Sequence, residues 1–317
     1  MNKINFFTRF LFFILIVFIA GSLFAGTNEQ FKLTASDRST IYNGAQQAAA
    51  EYGDKFKVSV AAIPSRWYIS DLKFPALNEN QKQLVRDFSA TGYVRSRGAN
   101  RLPAKWDWRD NNGVTPVGEQ QNSDCWAWGA THTFEHCIKV KDKQEVRLAV
   151  QDTISCSGAG TAANGGDFVT DFFISKGCAL DADYPYTGQD DQCRNDIKRE
   201  HKLSDAKVFN LGDAAYPDFK SIIPAIQQMV YEQGAVVTAC VSQELGFRAY
   251  AGGTYNVPSR VEDKTDHIVL ICGWDDNKDG GAFLIKNSYS TQWGEGGYAW
   301  IKYGSAQVGF YNCQYKY

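Results

Sequence analysis

Gln120-Gln121-Asn122-Ser123-Asp124-Cys125-Trp126-Ala127-Trp128 is the stretch that decides how this chain is read. Polar, turn-forming residues give way at Cys125 to a helical pattern. Phe134, Cys137 and Ile138 have the spacing of an inward face on a helix predicted over Asp124 to Val140, with Asp124 or Ser123 as its cap. A thiol at such a start sits near the positive end of the helix dipole and beside unpaired backbone N–H groups. Both favour the thiolate. Most cysteines are packing residues or disulfide halves, so the rest of the chain has to supply the chemistry.

A cysteine nucleophile needs a base, and the base needs an orienting group. The chain has four histidines. His132 and His136 lie on the helix that Cys125 begins. Seven residues at ~1.5 Å rise put His132 roughly 10 Å along the axis, beyond reach of the thiol proton. His201 stands in the charged run Lys198-Arg199-Glu200-His201-Lys202 and reads as solvated surface. His267 follows Asp266 and opens Ile268-Val269-Leu270-Ile271, so its imidazole stands at the mouth of a buried strand. After the next strand comes Lys286-Asn287-Ser288-Tyr289. Asn287 can accept from one ring nitrogen of His267 and leave the other to face the thiol, as the third member of a triad does.

Elsewhere the sequence sets bounds. The chain has 317 residues, 44% of them hydrophobic, enough for about two domains. A formal net charge of −2 gives no reason to expect nucleic acid or anionic membrane as a partner. There is no GxxxxGK[ST], GxGxxG, CxxC or HExxH pattern, so no nucleotide, metal or other cofactor is expected. Lys3 and Arg9 precede the apolar run Leu11 to Ala20, and Gly21, Ser22, Ala25 and Gly26 follow. This has the form of a signal peptide over 1–25, shorter than a membrane span, and it places the chain in the secretory pathway: secreted, periplasmic or in a lysosome-like compartment. Export permits disulfides among the eight cysteines.

Residues 26–101 then read as a leader, with helices expected over Ser39–Tyr52 and Asn78–Ser89. The leader ends in the basic, Gly- and Pro-containing run Arg95 to Pro103, which reads as an exposed linker. Beyond it, a mostly helical half (about 112–215) precedes a mostly β half (about 216–317). Helices are expected over Leu148–Ile154 and Phe168–Ser175, and a last one runs to Glu232 with Pro224 in its first turn. Strands are expected over Ala235–Cys240, His267–Gly273, Ala282–Lys286 and Gly297–Lys302. The expected class is α+β, with a cleft between the halves.

Order and spacing are the specific signal. Cys125 precedes His267 by 142 residues, and Asn287 follows 20 residues later. Trp106-Asp107-Trp108-Arg109, Val114-Thr115-Pro116-Val117, Cys125-Trp126-Ala127, Asn164-Gly165-Gly166, Asp183-Tyr184-Pro185-Tyr186, Asp266-His267, Lys286-Asn287-Ser288 and Trp293-Gly294-Glu295 occur in one order. From Leu102 to near the C-terminus the chain resembles the papain-like cysteine peptidases. The resemblance implies a two-domain fold, a helical left domain and a β-barrel-like right domain flanking the cleft. It implies peptide-bond hydrolysis through a thioester by a monomer made as a zymogen, with peptide or protein substrates and protein inhibitors as partners. Cys125 would be the nucleophile, His267 the base and acid, Asn287 the orienter and Gln120 the oxyanion donor. Gly165 and Gly166 would offer a backbone edge to substrate. Phe168, Ala239 and Ile268 would line an apolar specificity pocket, and Trp293 would wall the leaving-group side. Cys156 and Cys193 would pair; Cys137 with Cys178 is a further expectation.

The chain also departs from that pattern. The family's run into the nucleophile is Gln-Gly-x-Cys-Gly-Ser-Cys-Trp; here it is one residue shorter and lacks the first cysteine. The position of that cysteine's partner, before Asn164-Gly165-Gly166, is Ala163. Asp124 adds a negative charge beside the thiolate, and Tyr289 stands where the family has tryptophan. Two other classes compete with a peptidase. One is a binding protein using the same cleft with weak catalysis. The other is a transglutaminase-like acyl transferase, which would orient histidine with aspartate.

Overall fold

The strand His267–Asp275 organises the right-hand half, and its first eight residues are all buried. Such a strand is covered on both faces, which explains an apolar run without alternation. Its period of two still sorts side chains: Val269 and Ile271 face the main core, and Leu270 and Cys272 a second cluster with Leu284, Tyr298 and Trp300. The computed structural model describes residues 31–67, 70–93 and 102–317. Residues 32–317 form one compact unit. The signal segment 1–25 and the linker residues 95–101 lie outside the described residues.

Among the described residues the main sheet has nine strands. The His267–Asp275 strand pairs antiparallel with Ala282–Lys286 on one side and Val236–Cys240 on the other. Tyr298–Lys302 and then Tyr250–Tyr255 extend the first side; the contact between these two is parallel. Tyr311–Lys316 and Asp205–Asn210 extend the second. Lys105–Asp107 pairs with the far end of the central strand.

The Cys125–Asp142 helix packs against this sheet, and its residues 125–139 are all buried. Its left flank is Val150–Cys156 and Asp171–Ser175. Each starts two to three residues later than the sequence suggests, a normal drift for helix ends. The α+β class and the helical and sheet-rich regions agree with expectation. Asp205–Asn210, Tyr250–Tyr255 and Tyr311–Lys316 are strands that apolar patterning did not mark. Their sequences carry lysine, glycine or asparagine inside the strand.

Four expectations need correction. Asp124 occupies the N-cap position of the long helix, but its side chain makes no capping hydrogen bond; its carboxylate is turned toward Tyr186 instead. Pro224 is the sixth residue of the Phe219–Gln233 helix and not in its first turn. Asp218 and Ser221 start the helix earlier through reciprocal bonds to each other's backbone N–H. Cys137 and Cys178 are both free and buried; Cys137 is directed to the Tyr315 carbonyl and Cys178 to that of Ala149. His201 is half-buried, with Nδ1 3.0 Å from the Tyr317 hydroxyl, and is no bare surface residue. Cys156 and Cys193 form a disulfide.

The leader is folded onto this body. Its helices, Ala35–Glu51 and Glu79–Thr91, each begin with a capping box, Thr34 with Asp37 and Asn78 with Gln81. Between them Phe56–Val58 adds an antiparallel strand to the Tyr250–Tyr255 edge. The first helix docks through Ile41 and Ala45, which cluster with Ile63 and Ala249.

Candidate active site

Cys125 is the first residue of its helix and is fully buried. The central strand supplies His267 at its first position, and Asn287 follows directly after the neighbouring strand. Because Leu270 pairs with Lys286 across the two strands, the sheet itself brings histidine and asparagine together. His267 Nε2 lies 2.8 Å from Asn287 Oδ1. The Ser288 N–H donates to the same Oδ1 at 2.7 Å. An atom that accepts from a backbone N–H is the amide oxygen, so the imidazole donates through Nε2. Nδ1 is then the nitrogen that can serve the thiol.

This pair is kept dry. Tyr289 stacks on His267, centroids 4.7 Å apart and planes 26° apart. Its hydroxyl accepts from Arg248 Nη1 at 2.8 Å, and Arg248 is itself buried. Tyr289 fills the shielding position through a bond that tryptophan at this place would not make. Sequence reasoning missed Arg248, whose stretch Leu245-Gly246-Phe247-Arg248 carries no recognisable motif. Trp293 is fully buried, donates from Nε1 to the Phe247 carbonyl at 2.9 Å, and meets Tyr289 edge-on.

Gln120 is held differently. Its backbone N–H donates to the Ser288 carbonyl at 2.9 Å, and Oε1 accepts from the Ser288 hydroxyl at 2.7 Å. Nε2 donates to the Asn122 carbonyl at 2.7 Å. The amide is therefore tied to the asparagine side of the site and to its own loop.

Ser70 of the leader sits on the nucleophile. Its hydroxyl donates to the Ser123 carbonyl at 3.0 Å and lies 3.2 Å from Cys125 Sγ. Either atom can be the donor in this contact. The next residue runs along the glycine edge: the Asp71 N–H donates to the Asn164 carbonyl at 2.8 Å. Gly165 has φ +96°, and a Cβ there would meet the Asp71 nitrogen at 2.9 Å. Only glycine admits this approach. A Cβ on Gly166 would strike Trp126 at 2.7 Å. Phe74 then packs on Phe168, centroids 4.5 Å apart, and stacks on Tyr311. Ala239 and Ile268 face each other across paired strands, both buried.

Burial sets the electrostatics. The Cys125 thiol is pushed up to about 12, first by desolvation and then by Asp124 and Asp266; Ser70 and the Ile268 backbone oppose this. His267 is pushed down to about 3 by desolvation, with Asn287 pulling up and Arg248 pulling further down. Under the leader both partners are neutral. Desolvation therefore disfavours a thiolate–imidazolium pair in this arrangement.

Among the described residues no cluster of histidine, cysteine, aspartate and glutamate could hold a metal ion. No described helix is long and apolar enough to cross a membrane.

Comparison with known proteins gives a consistent picture. Residues 102–316 match the papain family cysteine protease model. Oryzain beta chain of Oryza sativa subsp. japonica is 30% identical over 73% of this chain and 48% of its own length. Cathepsin K of Mus musculus is 28% identical over 68% of this chain and 64% of its own. The chain thus spans roughly half to under two thirds of these relatives. A Carica candamarcensis cysteine protease solved with E-64 is 26% identical, TM-score 0.58, covering 68% of this chain and 99% of that one. Digestive procathepsin L2 from Tenebrio molitor larval midgut shares the fold at TM-score 0.67 and 22% identity, covering 95% of this chain and 100% of that one. With the cysteine, histidine and asparagine placed as described, these matches settle the family: the chain belongs to the papain family of cysteine proteases.

Proposed function

We propose that the chain is an exported cysteine endopeptidase, made as a zymogen and held latent by its own leader. The juxtaposition of the Asn287-oriented His267 with a Cys125 capped by leader residue Ser70 carries this reading. Residues 1–25 act as the signal peptide, 26–101 as the propeptide and 102–317 as the enzyme. With the leader gone, His267 takes the Cys125 proton and the thiolate attacks a peptide carbonyl. The Cys125 backbone N–H and Gln120 stabilise the oxyanion. His267 then protonates the leaving amine, and water cleaves the thioester. Trp293 walls the leaving-group side.

Phe74 lodged against Phe168 supports an apolar pocket completed by Ala239 and Ile268, and so an apolar substrate side chain next to the attacked residue on its N-terminal side. Gly165 and Gly166 pair with the extended substrate backbone, as Asn164 does with Asp71. Substrates are peptides or proteins, and protein inhibitors would occupy the same edge. The working compartment is secretory or lysosome-like, and acidity suits the device. His267 is depressed under the leader, so opening takes up a proton. Opening is therefore favoured as pH falls below about 6.5, the ordinary histidine value.

Acid incubation of the full chain, followed by cleavage of a fluorogenic peptide with an apolar residue at that position, tests the reading. Cys125→Ala and His267→Ala should each lower turnover about 10⁴-fold or more, with circular dichroism unchanged. Full activity in either variant would sink the reading. Thiol-directed epoxide labelling of the parent without turnover would favour the binding-protein reading.

A further inference from the structure

Asp124 is a fully buried carboxylate one residue before the nucleophile. Its Oδ2 accepts from the Tyr186 hydroxyl at 2.7 Å. That hydroxyl in turn accepts from the Gln121 N–H at 2.8 Å. Beside this, Asn122 Nδ2 donates to the Gly188 carbonyl at 2.7 Å. Three positions of the loop, Gln121, Asn122 and Asp124, are thus fixed to one segment, 186–188. Asp124 Oδ1 is buried with no hydrogen-bond partner among the described residues.

The helix N-terminus should favour a carboxylate there. Asp124 does not use it, since its side chain bonds no amide of the first turn. A buried carboxylate with one dry, unpartnered oxygen is costly when charged and far less so when protonated.

We propose that Asp124 is a positioning residue for the Cys125 nucleophile: clamped by Tyr186 it steadies the shortened loop, and once ionised it opposes the adjacent thiolate, so its charge lowers thiol reactivity on the alkaline side. This rests on the peptidase reading only where turnover is concerned. The groups facing it are few. Tyr186 comes from the opposite segment and Asp190 from just beyond it, and Cys125 lies on its own helix. Asp266 acts on the same thiol from the central strand. None of these offers Asp124 a positive partner. Desolvation raises its carboxyl to about 7; the Tyr186 hydroxyl and the backbone N–H groups of Asp124 and Asn122 pull down, and Asp190 pushes up. Below that value the Asp124 charge is largely absent; above it two like charges must share the start of one helix.

The test uses the full chain and two measurements. Asp124→Asn keeps an oxygen to accept from Tyr186 and deletes only the charge. The rate of Cys125 alkylation by iodoacetamide is followed from pH 5 to 8 in parent and variant, with Cys125→Ala as the blank. The ratio of variant to parent cancels the pH dependence of leader opening, which both share. It should rise from near one at pH 5 to about fivefold or more at pH 8, the scale of a like-charge contact in a partly dry site. A ratio flat across that range overturns the proposal. Carboxyl ¹³C NMR of the parent should show one aspartate, missing in Asp124→Asn, that titrates near pH 7; a midpoint below 5 overturns it too. Tyr186→Phe, which removes the clamp on the loop, should lower kcat of the activated protein several-fold with KM unchanged; an unchanged kcat overturns the positioning role. If the parent alkylates but cleaves no peptide, the peptidase reading fails while the alkylation ratio still decides the role of Asp124.

Discussion

The two sides of the site are built on different principles. His267 and Asn287 enter from adjacent strands, and their meeting is fixed by strand register. Gln120 to Asp124 enters from an irregular loop fixed by side chains: Tyr186, Asn122 and Ser288. On the strand side backbone pairing does the placing. The loop side has backbone pairing only at its start, where Glu119 bridges Tyr289 and the Gln120 N–H meets the Ser288 carbonyl, and beyond that a change in its length must be met by new partners. In this chain one residue and one cysteine are missing there, and a tyrosine hydroxyl supplies the tie.

That contrast can be broken most sharply from the strand side. Asn287→Ala should leave the strands paired but release the imidazole, lowering kcat about tenfold or more. The pH–rate profile of the activated protein would read this, and an unchanged profile would mean that register alone orients His267. Next comes Tyr289→Phe, which removes the acceptor of Arg248 Nη1. A stability loss of about 1–3 kcal/mol in urea is expected, with a smaller fall in kcat because the ring still covers His267. On the loop side Asn122→Ala deletes the bond to Gly188 and should cost about 1 kcal/mol. Its fall in kcat should be several-fold, out of proportion to that loss. Equal proportions on the two sides would erase the distinction.

The same contrast explains what the sequence made legible. Cys125, His267 and Asn287 are separable by elimination because few residue types can do their chemistry and because strand and helix starts are readable. The apolar runs that mark the central strands are readable for the same reason. The Asp124–Tyr186 tie is not, since 62 residues separate the partners and any buried hydroxyl could have met any acceptor. Asp124 itself looked like a cap, because local chemistry favours that use. Tertiary burial turned it elsewhere. Ser70 gave no signal either: a serine in a leader is unremarkable until the chain lays it across a thiol.

The Phe56–Val58 strand has a consequence for the molecule after cleavage. It occupies the outer hydrogen-bonding groups of Tyr250–Tyr255. A chain stripped of its leader leaves those groups bare, a ready template for a strand from another molecule. Gly252 and Gly253, and the shortness of the strand, limit how far such pairing can spread. If the leader is removed as proposed, it serves as a solubility device as well as a lid, and concentrated stocks should keep best with it still attached.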